Sequence, residues 1–315
     1  RDLGEYRTQR LVLAAWDALL AQVDGGTAAT LRTQINQART EAGLEPLPEA
    51  ATPAPVAALG KPLLKVSVDI APELKARRTG GDAQSPWAPA PIDEVVSTIA
   101  SVKPAVVFAP HVETASGMML PDDYMKKIAD AVHAVGGLFV LDCIASGAMW
   151  VDMQAIGVDV LVSAPQKGWS SSPACAMVCL SDRALKTLEG TTSTSYACDL
   201  KKWHQIMQAY ETGSHAYHAT MPTMALLKLR DTMQETRERG FAKVREQQIE
   251  LGRKVRALLE GRGLPSVAAE GFKAPGVVVS YTCDPEIQNG KAFIAQGVQS
   301  AAGVPLMFDE PADFR

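Results

Sequence analysis

The chain has 315 residues, 47% of them apolar and 21% charged, the balance of a soluble globular protein that can bury a large core without disulfides or structural metal. Its 31 Lys and Arg against 35 Asp and Glu give a formal net charge of −4 with no basic stripe, which excludes nucleic acid as a main partner, and no run of 18 apolar residues is present to span a membrane. Cys143, Cys175, Cys179, Cys198 and Cys283 form no CxxC, which excludes zinc ribbons and thioredoxin-type motifs; with no signal-peptide pattern in the first residues, a reducing cytoplasm is the expected location.

Residues 10–23 read as a helix on Leu11, Leu13, Ala14, Leu19, Leu20 and Val23; Asp24-Gly25-Gly26 breaks it, and 27–42 reads as a second helix. Residues 43–60 are rich in Pro and Ala and read as a loop or linker. From about residue 92 strands and helices alternate. The pattern predicts a helix over 91–101, a strand over 105–109, and a helix over 121–135 with Pro121, Asp122 and Asp123 at its start and Gly136-Gly137 at its end. It then predicts strands over 138–141 and 158–162, a helical turn over 152–156 between them, and a fourth strand over 176–180 of undetermined direction. Continuous apolar runs alternating with helices predict an α/β fold, a mostly parallel sheet with helices on both faces. Residues 223–261 read as helix bent near Gly240, with Leu226, Leu227, Leu229 and Met233 packing its first half and Val244, Ile249, Val255, Leu258 and Leu259 its second. A strand over 276–281 and a helix over 291–302 add a small α+β unit. The division expected is 1–75 as N-terminal segment and linker, 76–239 as large domain and 240–315 as small C-terminal domain.

In parallel α/β sheets ligands bind beyond the carboxyl ends of the strands, so the residues that follow each strand are the candidates for chemistry. Asp142 closes an apolar strand and is expected to be largely buried, where a carboxylate needs a partner. Lys167 lies between a strand and the small-residue stretch 168–174. Each alone has an ordinary reading, a turn-capping Asp and a surface Lys. Together they are the minimal apparatus of a pyridoxal 5'-phosphate enzyme, a lysine that forms a Schiff base and an acid against the pyridinium nitrogen.

The string His111-x-Glu113-Thr114-x-Ser116-Gly117, then Leu141-Asp142-x-Ile144-Ala145-Ser146, Asp152 with Gly157-x-Asp159, Ser163-x-x-Gln166-Lys167 and Tyr217-His218-x-Thr220-x-Pro222 resembles the class V aminotransferases. These are fold type I pyridoxal-phosphate enzymes, and the likeness is greatest to their alanine–glyoxylate and serine–glyoxylate branch. The resemblance implies that Lys167 holds the cofactor and Asp142 pairs with its ring nitrogen. Ile144 packs on a ring face, Thr114 lies near the phenolic oxygen and Gln166 contacts the phosphate. Tyr217 and Thr220 match residues that reach a neighbouring subunit's phosphate, which implies a homodimer with shared sites. Gly26 and Thr27 resemble the family's phosphate-binding turn in a short match. The substrates implied are a small amino acid, of the alanine or serine type, and a 2-oxo acid such as glyoxylate or pyruvate. Near the end, 303–315 resembles the approach to the carboxylate-binding arginine, with the chain stopping at Arg315 a few residues short of it.

Gln166 before the lysine is the aminotransferase choice, where cysteine desulfurases carry His, and Cys283 reads as an ordinary small residue. A lyase of the same fold and a non-catalytic truncated homologue are the competing readings. Cys143, Cys175 and Cys179 read as core packing. His133 reads as a boundary residue, and His111 as either packing or support for the site. His204, His215 and His218 lack the accompanying carboxylate or cysteine spacing of a metal site, and no metal is expected. Trp169 reads as either packing or part of the substrate entrance.

Overall fold

The computed structural model describes residues 74–303, the strand Leu63–Lys65 and three helical positions, Thr33, Gln37 and Thr40. The chain divides into two compact units, Arg1–Gly60 and Lys61–Arg315. In the first unit Thr33, Gln37 and Thr40 fall within the helix expected over 27–42. The helix expected over 10–23, Gly26, Thr27, the 43–60 loop and the approach to Arg315 lie outside the described residues.

In the second unit β1 (Leu63–Lys65) precedes a two-stranded ribbon of β2 (Arg77–Arg78) and β3 (Trp87–Ala88), then helix α1 (Ile92–Val102) and strand β4 (Val106–Pro110). A second ribbon, β5 (Val112–Glu113) with β6 (Met118–Met119), leads to α2 (Asp122–Ala134) and β7 (Leu138–Asp142). There follow α3 (Met153–Ile156), β8 (Val160–Ser163), β9 (Met177–Leu180), α4 (Asp182–Glu189), α5 (Leu200–Glu211), α6 (Thr223–Arg239), α7 (Phe241–Glu260), α8 (Pro285–Gln288) and α9 (Lys291–Ile294). The main sheet has the order β1-β4-β7-β8-β9, parallel throughout except for antiparallel β9. Pro110 pairs with Asp142, and Asp142 with Val162, so three neighbouring strands end at one edge.

The period of two in β4 and β7 turns Val107, Ala109, Phe139 and Leu141 onto one face, where all four are buried. The period of helices α1 and α2 brings Val95, Ile99, Met125, Ile128, Ala129 and Val132 against them in one core. On the other face Phe108 keeps 39% of its surface exposed among the described residues. Helix α2 starts after Pro121, whose missing N–H costs nothing there, and Asp122 and Asp123 face the positive end of the helix dipole. Asp159 ties the layers together from a buried position. Its Oδ2 accepts from Phe139 N and from His133 Nε2, each at 2.8 Å, and its Oδ1 accepts from Ser181 Oγ at 3.0 Å.

Four expectations change. Residues 276–281 form no strand; they run extended beside 265–268, with Val267 N donating to Val279 O and Tyr281 N to Pro265 O, but only the single bridge Ser266–Ser280 forms. The helix expected over 291–302 stops at Ile294, and Gly297 turns the chain with φ 74°. Cys179 is exposed, because β9 is the edge strand and packs one side only, whereas Cys143 is buried as expected.

The largest correction concerns the long helices. They divide at Gly240 (φ 90°, ψ 120°), a conformation that favours glycine. Their expected apolar stripes are only partly covered: Leu227, Ile249, Val255 and Leu258 are exposed, Leu226, Met233, Val244 and Leu259 are half-buried, and only Leu229 is buried in α6. The inward face of α7 instead carries Gln248, Gly252 and Arg256, four residues apart. Gln248 Oε1 accepts from Ala148 N at 2.7 Å, Gly252 lies against Pro275, and Arg256 Nη2 donates to Ala274 O at 2.8 Å. This helix docks on irregular backbone, whose polar groups demand hydrogen-bonding partners that a leucine stripe cannot supply. Helices α4 and α5 carried no expectation; Ser181 and Asp199 cap them by accepting from Ala184 N and Lys202 N.

Replacing Asp159 by Ala strands Phe139 N–H in the core and takes the acceptor from the half-buried Ser181 hydroxyl. The expected loss is about 3 kcal/mol, read as a shift in the denaturant midpoint at unchanged slope.

Candidate active site

Strand β7 ends on Asp142, with its backbone carbonyl accepting from His111 N at 2.8 Å and its side-chain Oδ1 accepting from Ile144 N at 2.9 Å. The carboxylate is exposed at the strand end, which corrects the expectation that it is largely buried. The strand's inward positions are Phe139 and Leu141, so the next residue along turns out of the core and reaches the open edge. Oδ2 accepts no hydrogen bond among the described residues. Ile144 is half-buried directly after it, and Cys143 N donates to Val162 O at 2.7 Å, which locks the turn to the neighbouring strand.

The loop after β8 carries Gln166 and Lys167, both exposed. Ser171 N donates to Pro165 O and Ser170 N to Lys167 O, each at 3.0 Å, so the loop closes on itself, with Ser170 in the left-handed region at φ 53°. Lys167 makes no ion pair among the described residues. Trp169 is a packing residue: its ring lies 5.1 Å from that of Trp150 and 6.4 Å from that of Phe241, and Trp150 Nε1 donates to Phe241 O at 3.1 Å. These aromatic contacts tie the lysine loop to the start of α7.

Behind the edge, His111 and Ser146 are buried, with His111 Nδ1 and Ser146 Oγ 2.8 Å apart. Burial pushes the imidazole down to about 4; Asp122 opposes the shift and Arg245 adds to it. The ring is therefore neutral at pH 7 and acts as a fixed hydrogen-bonding strut between the ends of β4 and β7. Cys143, beside it, is pushed up to about 12 by burial and is no nucleophile. Ser146 stood in the sequence string without a role; its pairing with His111 across 35 positions leaves no local signal.

Thr114 is exposed in the turn between β5 and β6. Tyr217 and Thr220 are exposed and joined to each other, Tyr217 Oη lying 3.0 Å from Thr220 Oγ1. The segment that carries them is fixed by His218. Its Nε2 donates to Tyr196 O at 2.9 Å, the Tyr196 hydroxyl donates back to His218 O, and Trp203 meets the imidazole edge-on at 5.0 Å. The structure thus gathers Asp142, Ile144, Gln166 and Lys167 at one sheet edge and holds Tyr217 with Thr220 on a separate braced segment. No hydrogen bond or ion pair connects the two groups among the described residues.

The model of the family described as Aminotransferase class-V matches residues 86–278, more than half of the chain, and the chain belongs to that family. The alanine–glyoxylate aminotransferase of Felis catus is 28% identical over 178 residues, covering 55% of this chain and 42% of that relative. A 2-aminoethylphosphonate–pyruvate transaminase of Pseudomonas putida is 27% identical over 192 residues, covering 59% of this chain and 50% of the relative. Among solved structures, an alanine–glyoxylate aminotransferase from Nostoc sp. superposes with a TM-score of 0.58 at 22% identity, covering 68% of this chain and 58% of that one, which shows a common fold. The chain spans about half the length of the curated relatives it matches.

The family is pyridoxal-phosphate dependent, and the donor set fits that group. A pyridinium N–H needs an anionic acceptor, and the uncommitted Oδ2 of Asp142 is one. The cofactor's aldehyde needs an amine free of carboxylate partners, and Lys167 is one.

The buried neutral His111 makes a pH prediction. Its folded value lies below the ordinary 6.5, so the unfolded chain binds the extra proton. Its contribution is complete above about pH 6.5 and is lost as pH falls towards about 4, by up to roughly 3 kcal/mol. His111→Asn should flatten the fall in stability across this window, measured by urea unfolding at a series of pH values.

Proposed function

We propose that the chain is a pyridoxal-phosphate-dependent aminotransferase that moves an amino group from a small amino acid, of the alanine or serine type, to a 2-oxo acid such as glyoxylate or pyruvate. The observation that carries this reading is the placement of Asp142 at the end of β7 and of Lys167 after its parallel neighbour β8, each with its chemistry unspent.

When bound, the cofactor supplies an electron sink for the charge left by a departing α-proton. Asp142 keeps a proton on the ring nitrogen through Oδ2, while Ile144 N–H holds the other carboxylate oxygen in place. Lys167 would hold the cofactor through Nζ and, as a free amine beside bound substrate, would take and return the α-proton. Ile144 supports one ring face, Thr114 serves the phenolic oxygen and Gln166 the phosphate. Tyr217 and Thr220 serve the phosphate of a second subunit. Their exposure, together with that of Met221 and Met224 beside them, suits a covered position in a homodimer. Residues 76–239 form the cofactor-binding domain in this reading and 240–315 the smaller one. All five cysteines are free thiols and no described helix is long and apolar enough to cross a membrane, which suits a cytoplasmic enzyme.

Purified protein mixed with pyridoxal phosphate and desalted should retain a visible absorbance band, and Lys167→Ala should retain none. Asp142→Ala should keep the covalent attachment but lose at least 100-fold in the rate at which alanine or serine bleaches the band, since without its anion the ring nitrogen loses its proton. A wild-type protein that retains no band contradicts the proposal.

A further inference from the structure

Gln248 lies on α7, 81 positions beyond Lys167, yet it is built into the support of the lysine loop. Ala148 N donates to its Oε1 at 2.7 Å, and that bond fixes the orientation of the amide. The same amide lies flat against Gly147: a Cβ there would meet Nε2 at 2.5 Å and Oε1 at 2.7 Å. Gly168 also lies against Gly147: a Cβ on Gly168 would meet Gly147 O at 2.5 Å. Gly168 is the residue after Lys167. Three groups are thus stacked with no side chain between them: the Gln248 amide, the Gly147 backbone and the Gly168 backbone. Gly276 closes the stack from behind, with its Cβ position 2.4 Å from Gln248 Nε2. Nε2 is buried and donates no hydrogen bond among the described residues. Docking on this backbone needs an acceptor for Ala148 N–H, which Oε1 supplies; it does not need the buried Nε2, which has no partner among the described residues.

From this geometry we infer that Gln248 is a positioning residue for Lys167, setting how far the lysine loop sits from the end of β7 by fixing Ala148 and Gly147 beneath it. The inference rests on the proposed role of Lys167. Gln248 touches neither the lysine nor Asp142; it acts through the backbone of the turn that follows Asp142. Closely packed backbone transmits a displacement without the slack that a side chain would provide.

The test compares Gln248→Ala, Gln248→Met and Gly276→Ala with Arg256→Met. Met fills the space of Gln without accepting from Ala148 N. Gly276→Ala has no positive φ to strain it and pushes the amide from behind. Arg256→Met breaks another backbone contact of the same helix face, to Ala274 O, and serves as the control for docking alone. Two readings are taken, backbone amide exchange of 147–149 and 166–170 in cofactor-free protein, and the rate at which the visible band forms with pyridoxal phosphate. The three variants around Gln248 should exchange about tenfold faster in both segments and form the band about tenfold more slowly. The double variant Gln248→Ala with Gly276→Ala should do no worse than Gln248→Ala alone. Arg256→Met should lower the melting temperature without moving either reading. Unchanged exchange at 166–170 in the Gln248 variants, or an equal effect from Arg256→Met, overturns the inference. If wild type forms no band but exchange still depends on Gln248, the cofactor reading has failed and the coupling between Gln248 and the loop stands.

Discussion

Because β4, β7 and β8 run in the same direction, their carboxyl ends reach the same edge, and whatever side chains the sequence places after them meet there. Parallel pairing fixes Asp142 opposite Pro110 and Val162. A one-residue slip would turn Asp142 into the core and Leu141 out of it, and the burial of Phe139 and Leu141 against α2 resists that slip. The core packing of the sheet and the outward turn of the Asp142 carboxylate are therefore one constraint. The His111–Ser146 pair, the bond from Ile144 N and the stack of Gly147 on Gly168 refine a placement the sheet has already made.

The elements that build this edge could be read from the sequence because each is short and has a sharp pattern. Residues 138–141 form a purely apolar run, and 121–135 combine a proline start, acidic first turn and glycine stop, so local preference and tertiary role agree. The family was legible through the order and spacing of a string of residues that no periodicity argument would have singled out. An apolar run alone does not reveal the exposure of Asp142, because the period of two decides which way a strand's last residue turns.

The long helices depart from their apolar pattern for a different reason. Hydrophobic periodicity assumes that a helix docks on other side chains. Helix α7 docks on the backbone of 147–148 and 274–276, so its inward face is a glutamine, a glycine and an arginine, and Leu251 and Leu258 turn outward. Only three-dimensional proximity reveals Gln248, because the groups it serves are 100 positions away. The same limit applies to 276–281, whose apolar run suggests a strand but whose neighbours 265–268 match it at a single bridge.

The central claim is that the sheet edge presents Lys167 as the one amine poised for the cofactor. It is tested most directly by treating the protein with limiting pyridoxal phosphate, reducing with borohydride and mapping the pyridoxyl group by peptide mass spectrometry. The account predicts a single modified residue, Lys167. Modification spread over exposed lysines such as Lys126, Lys254 and Lys291, with no preference for Lys167, would contradict it.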